Sequence, residues 1–192
     1  MKFDNVTFVY PDTGIKALDQ VNFHLKAGEK MAIIGKTGSG KTTIADLMVR
    51  MYDVSEGGIM LDDKDIREHD LAKLRRRIGY VPQDIFLFSD TISGNVAFGH
   101  REASQEQIEE YTRYAAVYND IKSLPEGFDT MVGERGVTLS GGQKQRVSIA
   151  RALIKQPDIV ILDDCLSAVD TTTEQQIFGQ SGVHIAQNLL FS

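Results

Sequence analysis

The segment from Gly35 to Thr42 combines residue types that bind phosphate groups. Its glycines at positions 35, 38 and 40 allow a tight backbone turn in which successive N–H groups converge on an anion. Lys41 is placed to reach the terminal phosphates of a nucleotide, and the Thr42 hydroxyl is placed to bind Mg²⁺. A glycine-rich turn with a solvated lysine is the alternative interpretation. The nucleotide-binding residues predicted here are Gly35, Lys36, Thr37, Gly38, Ser39, Gly40, Lys41, Thr42 and Thr43.

An acidic pair ends the apolar run Ile159–Leu162, which is typical of a buried strand. A carboxylate at the end of such a strand is costly to bury unless it is paired or bound to a metal ion. Beside a phosphate-binding loop, Asp163 is therefore predicted to hold Mg²⁺, directly or through water. Without that loop, an ordinary strand-ending aspartate explains the pattern equally well.

A third segment, Leu139–Gln143, places two glycines in front of a helix that is predicted from about Gln143 to Leu153. The backbone N–H groups at the start of a helix attract anions, and the helix dipole adds to that attraction. The segment is therefore predicted to be a second anion-binding helix terminus.

The strands expected around these segments differ in their apolar patterns. Alternating apolar residues at positions 3, 6 and 8 and at positions 21, 23 and 25 indicate two half-buried strands separated by a turn at 11–14. They predict an antiparallel β-subdomain. The continuous apolar runs Met31–Ile34 and Ile78–Val81 instead indicate buried parallel strands.

Helical patterns connect the strands. A helix is predicted from about Lys41 to Tyr52, directly after the phosphate-binding loop. Its inner face is predicted to consist of Ile44, Leu47, Met48 and Met51. Residues 83–150 are mostly helical in pattern, with an N-terminal cap at Ser104–Gln107. A strand-rich chain interrupted by a helical block fits an α/β core that carries a helical insertion.

Composition narrows the class of protein. The 192 residues are 42% hydrophobic and 25% charged, which is ordinary for one globular domain. A net charge of −6 argues against a nucleic-acid partner, because binding a phosphate backbone needs a basic face. No apolar stretch approaches the roughly 20 residues that span a bilayer, so no direct membrane insertion is expected. The lone cysteine, Cys165, indicates a reducing compartment.

The order of these motifs resembles the nucleotide-binding domain of an ABC transporter. A phosphate-binding loop, then Leu139–Gln143, then a strand ending in Asp163 occur in that order, and the resemblance covers roughly residues 1 to 178. It implies a P-loop NTPase (RecA-like) α/β core with an antiparallel β-subdomain and an inserted α-helical subdomain. We expect one domain, 1–192, in which 1–82 and 151–178 form the core, 83–150 the helical part and 179–192 a divergent tail.

The resemblance also implies roles for individual residues around ATP. Tyr10 matches the aromatic residue that stacks on adenine, although a packed strand-end aromatic remains the alternative. Gln83 matches the glutamine that contacts Mg²⁺ or the attacking water. Asp164 stands at the position of the general base. The implied catalytic residues are Lys41, Gln83 and Asp164, and the implied metal ligands are Thr42, Gln83 and Asp163.

Members of this family work in pairs, which implies partners for this chain. Two domains dock head to tail, so Ser140, Gly141, Gly142 and Gln143 would bind the γ-phosphate of ATP held by a second domain. Residues 167–170 match the segment that crosses that interface. Residues 130–136 are similar to a segment of exporters that contacts intracellular loops, which favours an exporter over an importer. Phe86 and Phe88 would face the transmembrane domains, with buried packing as the equal alternative.

Two departures from the family pattern affect function. The residue at 164 is aspartate where glutamate is usual, and its shorter side chain predicts slow hydrolysis with ATP binding intact. Aspartate there, with an intact Leu139–Gln143, resembles the degenerate subunit of a heterodimeric exporter. The tail 179–192 does not match the family. His184 is left unassigned, and we expect a truncated or frameshifted reading frame that exposes a sheet edge.

The leading hypothesis is therefore an ATPase domain of an ABC exporter, coupled to transmembrane transport and held at the cytoplasmic face of the cell membrane by its transmembrane partners. A heterodimer is favoured. The main alternative is an ATP-binding fragment with little hydrolysis that acts through a partner's site. A soluble ABC ATPase acting on DNA or ribosomes is a third hypothesis, against which the acidic charge argues.

Overall fold

The computed structural model describes residues 1–133 and 138–163, and the backbone of 186–190. Within these ranges the chain forms eight strands, in two sheets of four, and six α-helices. No helix in the described part of the chain is long and apolar enough to cross a membrane.

The first sheet is antiparallel, as the alternating apolar pattern predicts. It consists of β1 (Lys2–Val9), β2 (Lys16–His24), β4 (Glu56–Leu61) and β5 (Lys64–Asp65), in the order β2-β1-β4-β5. Phe3 pairs with Phe23 across β1 and β2, and their rings stack at 4.2 Å between centroids. The antiparallel β-subdomain is therefore confirmed.

The second sheet is parallel and carries the ends of the phosphate-binding and acidic segments. It consists of β3 (Met31–Ile33), β6 (Ile78–Val81), β7 (Ile159–Asp163) and β8 (Ala186–Leu190). The strand order is β3-β8-β7-β6, and all neighbours are parallel. Together with the antiparallel sheet and the helices, this sheet gives the expected P-loop NTPase architecture.

The divergent tail contributes a strand to the parallel sheet. Residues 186–190 form a strand between β3 and β7 and pair with both of them. Among the described strands, β3 and β6 are the outer strands of this sheet, so the expectation of an exposed sheet edge stays a prediction. The tail sequence differs from the family pattern, yet part of it lies inside the sheet.

Six α-helices lie between the strands along the chain. They are α1 (Lys41–Met48), α2 (Leu71–Arg76), α3 (Ile92–Ala97), α4 (Gln105–Tyr114), α5 (Tyr118–Lys122) and α6 (Gly141–Leu153). The cap predicted before α4 is confirmed as a capping box. The Ser104 hydroxyl accepts the Gln107 N–H at 3.3 Å, and the Gln107 side chain accepts the Ser104 N–H at 2.9 Å.

Strand β7 separates two hydrophobic cores. Ile159 and Ile161 pack with α1 and the antiparallel sheet, whereas Val160 and Leu162 pack with α3, α4 and α6. Successive side chains of a strand point to opposite faces, so a strand buried on both faces is apolar throughout. This double burial explains the continuous apolar run before Asp163.

Helix α1 ends earlier than the apolar pattern predicts. It stops at Met48, and Met51, predicted for the inner face, is 56% exposed. Arg50 adopts a left-handed φ of 53°, which ends the helix. Arg75 of α2 then donates to the carbonyl oxygens of Val49 at 3.0 Å and Arg50 at 2.9 Å. A cation from another helix therefore satisfies the carbonyl groups that follow α1.

Replacing Arg75 by alanine is expected to lower the free energy of unfolding by about 1 kcal/mol, because two charge-assisted hydrogen bonds to helix-end carbonyls are lost. The measurement is the urea midpoint at constant m value. The matched control is Arg76→Ala, since the Arg76 side chain makes no hydrogen bond or ion pair with the described residues. An equal loss in both variants would contradict the capping role of Arg75.

Candidate functional site

A cleft of about 520 Å³ lies between the start of α1 and the end of β7. It brings together residues from four separate stretches of sequence. Its lining residues are Tyr10, Ile15, Lys16, Ala17, Thr37, Gly38, Ser39, Gly40, Lys41, Thr42, Thr43, Gln83 and Asp163. The glycine-rich loop, the strand-end acid, Gln83 and Tyr10 were predicted separately from the sequence, and the fold places all of them on one cavity.

The loop depends on glycine at two positions. Gly38 and Gly40 have φ values of 80° and 88°, a region that other residues rarely adopt. Gly40 also packs closely against β2, since a Cβ there would lie 2.7 Å from the carbonyl oxygen of Ala17. Gly40 is the N-cap of α1, so this close approach sets where the helix terminus meets the cleft.

The Lys41 ammonium group lies inside the loop. Its Nζ donates to the carbonyl oxygens of Gly35 at 2.7 Å and Lys36 at 3.1 Å. Gly35 and Lys36 therefore support the site through their backbone, although neither is among the described residues that line the cleft. Oxygen atoms of a bound phosphate would offer this cation stronger partners than neutral carbonyl groups do.

Asp163 is 2% exposed at the end of β7 and sits among other acidic and phenolic groups. The pKa of Tyr80 is raised well above its usual value, mainly because the hydroxyl is buried. The charges of Asp46 and Asp163 and a hydrogen bond to Asp163 raise it further. Burial, and then the charge of Asp163, also raise the pKa of Asp46. Negative charge is therefore crowded at this end of the cleft.

The cleft residues fit Mg²⁺. The Thr42 hydroxyl, the Gln83 amide and the Asp163 carboxylate offer the oxygen ligands that this hard cation prefers. A divalent cation would also offset the crowded charge of Asp46 and Asp163. No group of three or more acidic, histidine or cysteine side chains suited to a metal occurs among the described residues. Such a sparse set suits Mg²⁺ that is held mainly by nucleotide phosphates and water.

Tyr10 both lines the cleft and is packed against its neighbours. Its hydroxyl lies 2.9 Å from the Thr43 hydroxyl, and its ring meets those of Phe8 and Tyr52 edge-on at 4.9 and 5.6 Å. Tyr10 is therefore a packed aromatic that also faces the cleft, and its stacking on adenine stays a prediction. Thr43 is buried with its hydroxyl beside Tyr10, so its role as a direct ligand also stays a prediction.

Ser140 is the N-cap of α6 and is held by a capping box with Gln143. The Ser140 hydroxyl accepts the Gln143 N–H at 3.2 Å, and the Gln143 side chain accepts the Ser140 N–H at 3.0 Å. The hydroxyl proton of Ser140 therefore remains available for donation to an anion. A Cβ added at Gly141 would meet nothing within 4 Å, so the helix terminus is open to an approaching molecule.

This capping box has the same Ser-x-x-Gln spacing that was recognised at Ser104, so the sequence contained the signal and our prediction missed it. Ser140, Gly141, Gly142 and Gln143 are not among the described residues that line the cleft. The two segments predicted to bind anions therefore lie at separate places on the chain.

Three phenylalanine side chains, two exposed and one half-buried, form a surface group, here called the aromatic patch: Phe86, Phe98 and the half-buried Phe88. Ring centroids lie 5.2 Å apart for Phe86 and Phe88, and 4.4 Å apart for Phe88 and Phe98. Phe86 is 66% exposed and Phe98 is 50% exposed, so buried packing is the wrong interpretation for Phe86. Phe98 was not predicted to belong to this surface, because only the fold brings it there.

Several predicted residues lie outside the described part of the chain. These are Asp164, residues 134–136, residues 167–170 and His184. The roles suggested for them remain predictions that rest on sequence.

The phosphate-binding loop between β3 and α1, with an acid at the end of a neighbouring parallel strand, defines a P-loop NTPase. The sequence model of the family described as ABC transporter matches residues 18–167. The chain belongs to the ABC transporter family.

Its relatives are exporters. It is 47% identical over 178 residues to the ATP-dependent lipid A-core flippase of Escherichia coli strain K12, a match that covers 92% of this chain and 31% of the flippase. The flippase of Salmonella typhimurium strain LT2 gives the same figures. A solved structure described as a bacterial Atm1-family ABC exporter with ATP bound superposes with a TM-score of 0.92 at 44% identity, covering 98% of this chain and 34% of that one.

The chain therefore spans about a third of the length of these relatives. It is a nucleotide-binding domain of the exporter type.

Proposed function

We propose that this chain is the ATP-binding and ATP-hydrolysing domain of an ABC exporter and powers transport across a membrane. The observation that carries the proposal is the convergence of Lys41, Gln83 and Asp163 on one cleft behind a glycine-rich loop. The match to exporters, one of them solved with ATP bound, supports ATP as the nucleotide.

Each cleft residue then has a separate task. Lys41 and the loop N–H groups hold the phosphates, and Thr42 and Asp163 hold Mg²⁺ with help from Gln83. When bound, Mg²⁺ offsets the negative charge that develops on the transferred phosphate. Gln83 orients the attacking water, and Asp164 accepts its proton. Tyr10 stacks on the adenine ring.

The separation between the cleft and Ser140 supports a site that two domains share. The open terminus of α6 and the free hydroxyl proton of Ser140 are suited to a phosphate group. In a head-to-tail pair, Ser140, Gly141, Gly142 and Gln143 of one domain would complete the cleft of the other. ATP then lies in the interface and stabilises the pair by mass action, and its hydrolysis releases the pair.

The aromatic patch is the surface that we assign to the transmembrane partner. Exposed aromatic side chains that lie close together are typical of protein interaction sites. Docking there would hold the chain at the cytoplasmic face of the cell membrane. Nucleic acid is not a proposed partner, since the net charge is −6.

The aspartate at 164 favours a heterodimer over a pair of like chains. A domain with a shortened base and an intact Ser140 would contribute more to its partner's ATP site than to its own. The second candidate function, an ATP-binding fragment with little hydrolysis, rests on the same residue. Robust ATP hydrolysis by the isolated chain would contradict that second candidate.

The shared site can be tested by ATP-dependent dimerisation of the chain, measured by light scattering in the presence of Mg²⁺. Ser140→Arg is expected to abolish the dimer and leave ATP binding to the monomer unchanged, because Ser140 lies outside the cleft. Lys41→Ala is expected to weaken ATP binding by about 100-fold and so to prevent the dimer at the same ATP concentration. A mixture of the two variants retains one complete site per pair, so it should dimerise partially.

The matched control is Ser104→Arg, which changes the other capping-box serine at an exposed position of α4. It should dimerise like the unaltered chain. Unchanged dimerisation of Ser140→Arg would contradict the shared site, and failure of the mixture to dimerise would contradict the head-to-tail arrangement.

A further inference from the structure

Arg151, three turns into α6, ties this helix to the loop that carries the aromatic patch. Its Nε donates to the carbonyl oxygen of Asn95 at 2.8 Å, and one terminal nitrogen donates to the Asn95 side-chain oxygen at 2.7 Å. The other terminal nitrogen donates to the carbonyl oxygen of Phe86 at 2.9 Å. The guanidinium also lies 5.3 Å from the centre of the Phe88 ring. Burial lowers the pKa of Arg151, which shows that the group is partly removed from water.

Asn95 of α3 completes the connection from the other side. Its side chain is fully buried, and its oxygen accepts the Phe88 N–H at 2.9 Å. Its amide nitrogen donates to the carbonyl oxygens of Phe88 and Thr91, each at 3.0 Å. Both backbone groups of Phe88 are therefore bound by one side chain, which Arg151 in turn orients. Hydrogen-bonded side chains that share partners in this way are rigid, so Phe88 and α6 keep one position relative to each other.

The loop held in this way begins in the nucleotide cleft. Gln83 lines the cleft, and Phe86, three residues later, is exposed in the aromatic patch. Three residues span at most about 10 Å, so a displacement of Gln83 reaches Phe86 through a short stretch of chain. The hydrogen bonds of Arg151 to Phe86 and Asn95 make this loop and α6 move as one unit. That unit extends along α6 to its N-terminus at Ser140, about 16 Å away.

Stability alone does not require a charged group here. Helices α3 and α6 already pack through buried apolar residues of one core, among them Ile92, Val96 and Val147. An apolar side chain at position 151 would add to that packing but would bind none of these carbonyl and amide oxygens. A guanidinium, by contrast, binds several oxygen acceptors at once in a fixed planar geometry, which suits the positioning of a loop.

We propose that Arg151 and Asn95 are positioning residues that couple nucleotide binding at Gln83 to the position of the aromatic patch. This inference rests on the proposed function, because it requires that ATP binds in the cleft beside Gln83. It assigns to two residues outside the cleft the transmission between the ATP site and the docking surface.

A single fluorophore can test this coupling, since the chain contains no tryptophan. In a Phe86→Trp reporter, titration with Mg²⁺ and ATP is expected to give a saturable change in fluorescence. Adding Arg151→Met should reduce the amplitude of that change by about threefold, the order of coupling effects for such residues. ATP affinity, measured separately by calorimetry, should stay unchanged, because Arg151 does not touch the cleft. If Arg151 had only a structural role, the fluorescence amplitude would not fall while the ATP affinity stayed unchanged.

Arg151→Lys is the variant that preserves the charge and the aliphatic stem, and it should give an intermediate amplitude because lysine lacks the planar fork. The matched control is Arg146→Met. Arg146 lies on the same helix but pairs with Asp120 of α5 at 2.8 Å, so the full amplitude should remain. Thermal unfolding followed by circular dichroism identifies any variant that does not fold. If Arg151→Met does not fold, the fluorescence amplitude of Arg151→Lys tests the coupling in its place.

An unreduced amplitude in Arg151→Met or Arg151→Lys would overturn the inference. So would a reporter that binds ATP in calorimetry without any fluorescence change. Absence of ATP binding in the reporter chain and in the unaltered chain would instead overturn the proposed function, and the inference with it. The calorimetric measurement therefore separates the two failures.

Discussion

Replacement of Lys41 by alanine is expected to weaken ATP binding by about 100-fold. The Lys41 ammonium group lies within the glycine-rich loop, 2.7 Å from one backbone carbonyl oxygen and 3.1 Å from another. A hydrogen bond to a charged group contributes about 1.5–3 kcal/mol, and each 1.4 kcal/mol changes affinity about tenfold. Loss of two contacts to phosphate oxygens therefore corresponds to roughly two orders of magnitude. Calorimetric titration with Mg²⁺ and ATP measures the change.

The matched control for Lys41 is Lys36→Ala. Lys36 belongs to the same loop and has an exposed side chain, whereas its contribution to the site is the carbonyl group that any residue supplies. We expect its affinity for ATP to change by no more than about threefold, because an exposed charge is screened by salt. Equal losses in both variants would show that overall charge, rather than the contacts of Lys41, governs binding.

Lengthening the acid at position 164 is expected to raise ATP turnover by about 100-fold. Aspartate places its carboxylate roughly 1 Å short of the position that glutamate reaches, and errors of that size cost about 100-fold in rate. Asp164→Glu restores the missing methylene group and leaves the charge unchanged. The measurement is the steady-state release of phosphate by the assembled transporter. The double variant Lys41→Ala with Asp164→Glu measures the phosphate release that does not come from this site.

The neighbouring acid provides the control for position 164. Asp163→Glu makes the same chemical change in a side chain that is 2% exposed and lies beside Tyr80, so the added methylene group is expected to disturb the Mg²⁺ site and lower turnover. If Asp164→Glu leaves turnover unchanged, the short side chain does not explain slow hydrolysis, and the degenerate-subunit hypothesis loses its main support.

Local patterns predicted much of the fold because they depend on residues close together in the chain. The start of α1 after the glycine-rich loop, the cap of α4 at Ser104 and the bounds of β6 were all predicted correctly. The apolar run of β7 was predicted as buried, although its cause, burial on both faces, required the fold. Capping and apolar periodicity act within a few residues, so the sequence contains them directly.

Predictions failed where distant residues decide the outcome. The apolar pattern of α1 continues to Met51, but Arg75 binds the carbonyl groups after Met48 and the helix ends there. Strand β8 was not predicted, since Ala186–Leu190 becomes a strand between β3 and β7 only when both neighbours are present. Hydrogen bonds between residues far apart in the chain leave no local pattern.

The sequence by itself indicated the chemistry that we propose for this protein: a loop suited to phosphate, an acid suited to Mg²⁺ and a glycine-rich helix start at Ser140. Only the tertiary structure decided how these parts combine. It brings Tyr10, Lys41, Gln83 and Asp163 to one cleft and places Ser140 elsewhere. It also joins Arg151 to Asn95. The physical reason is that residue type sets what a group can bind, whereas packing of strands and helices sets which groups meet.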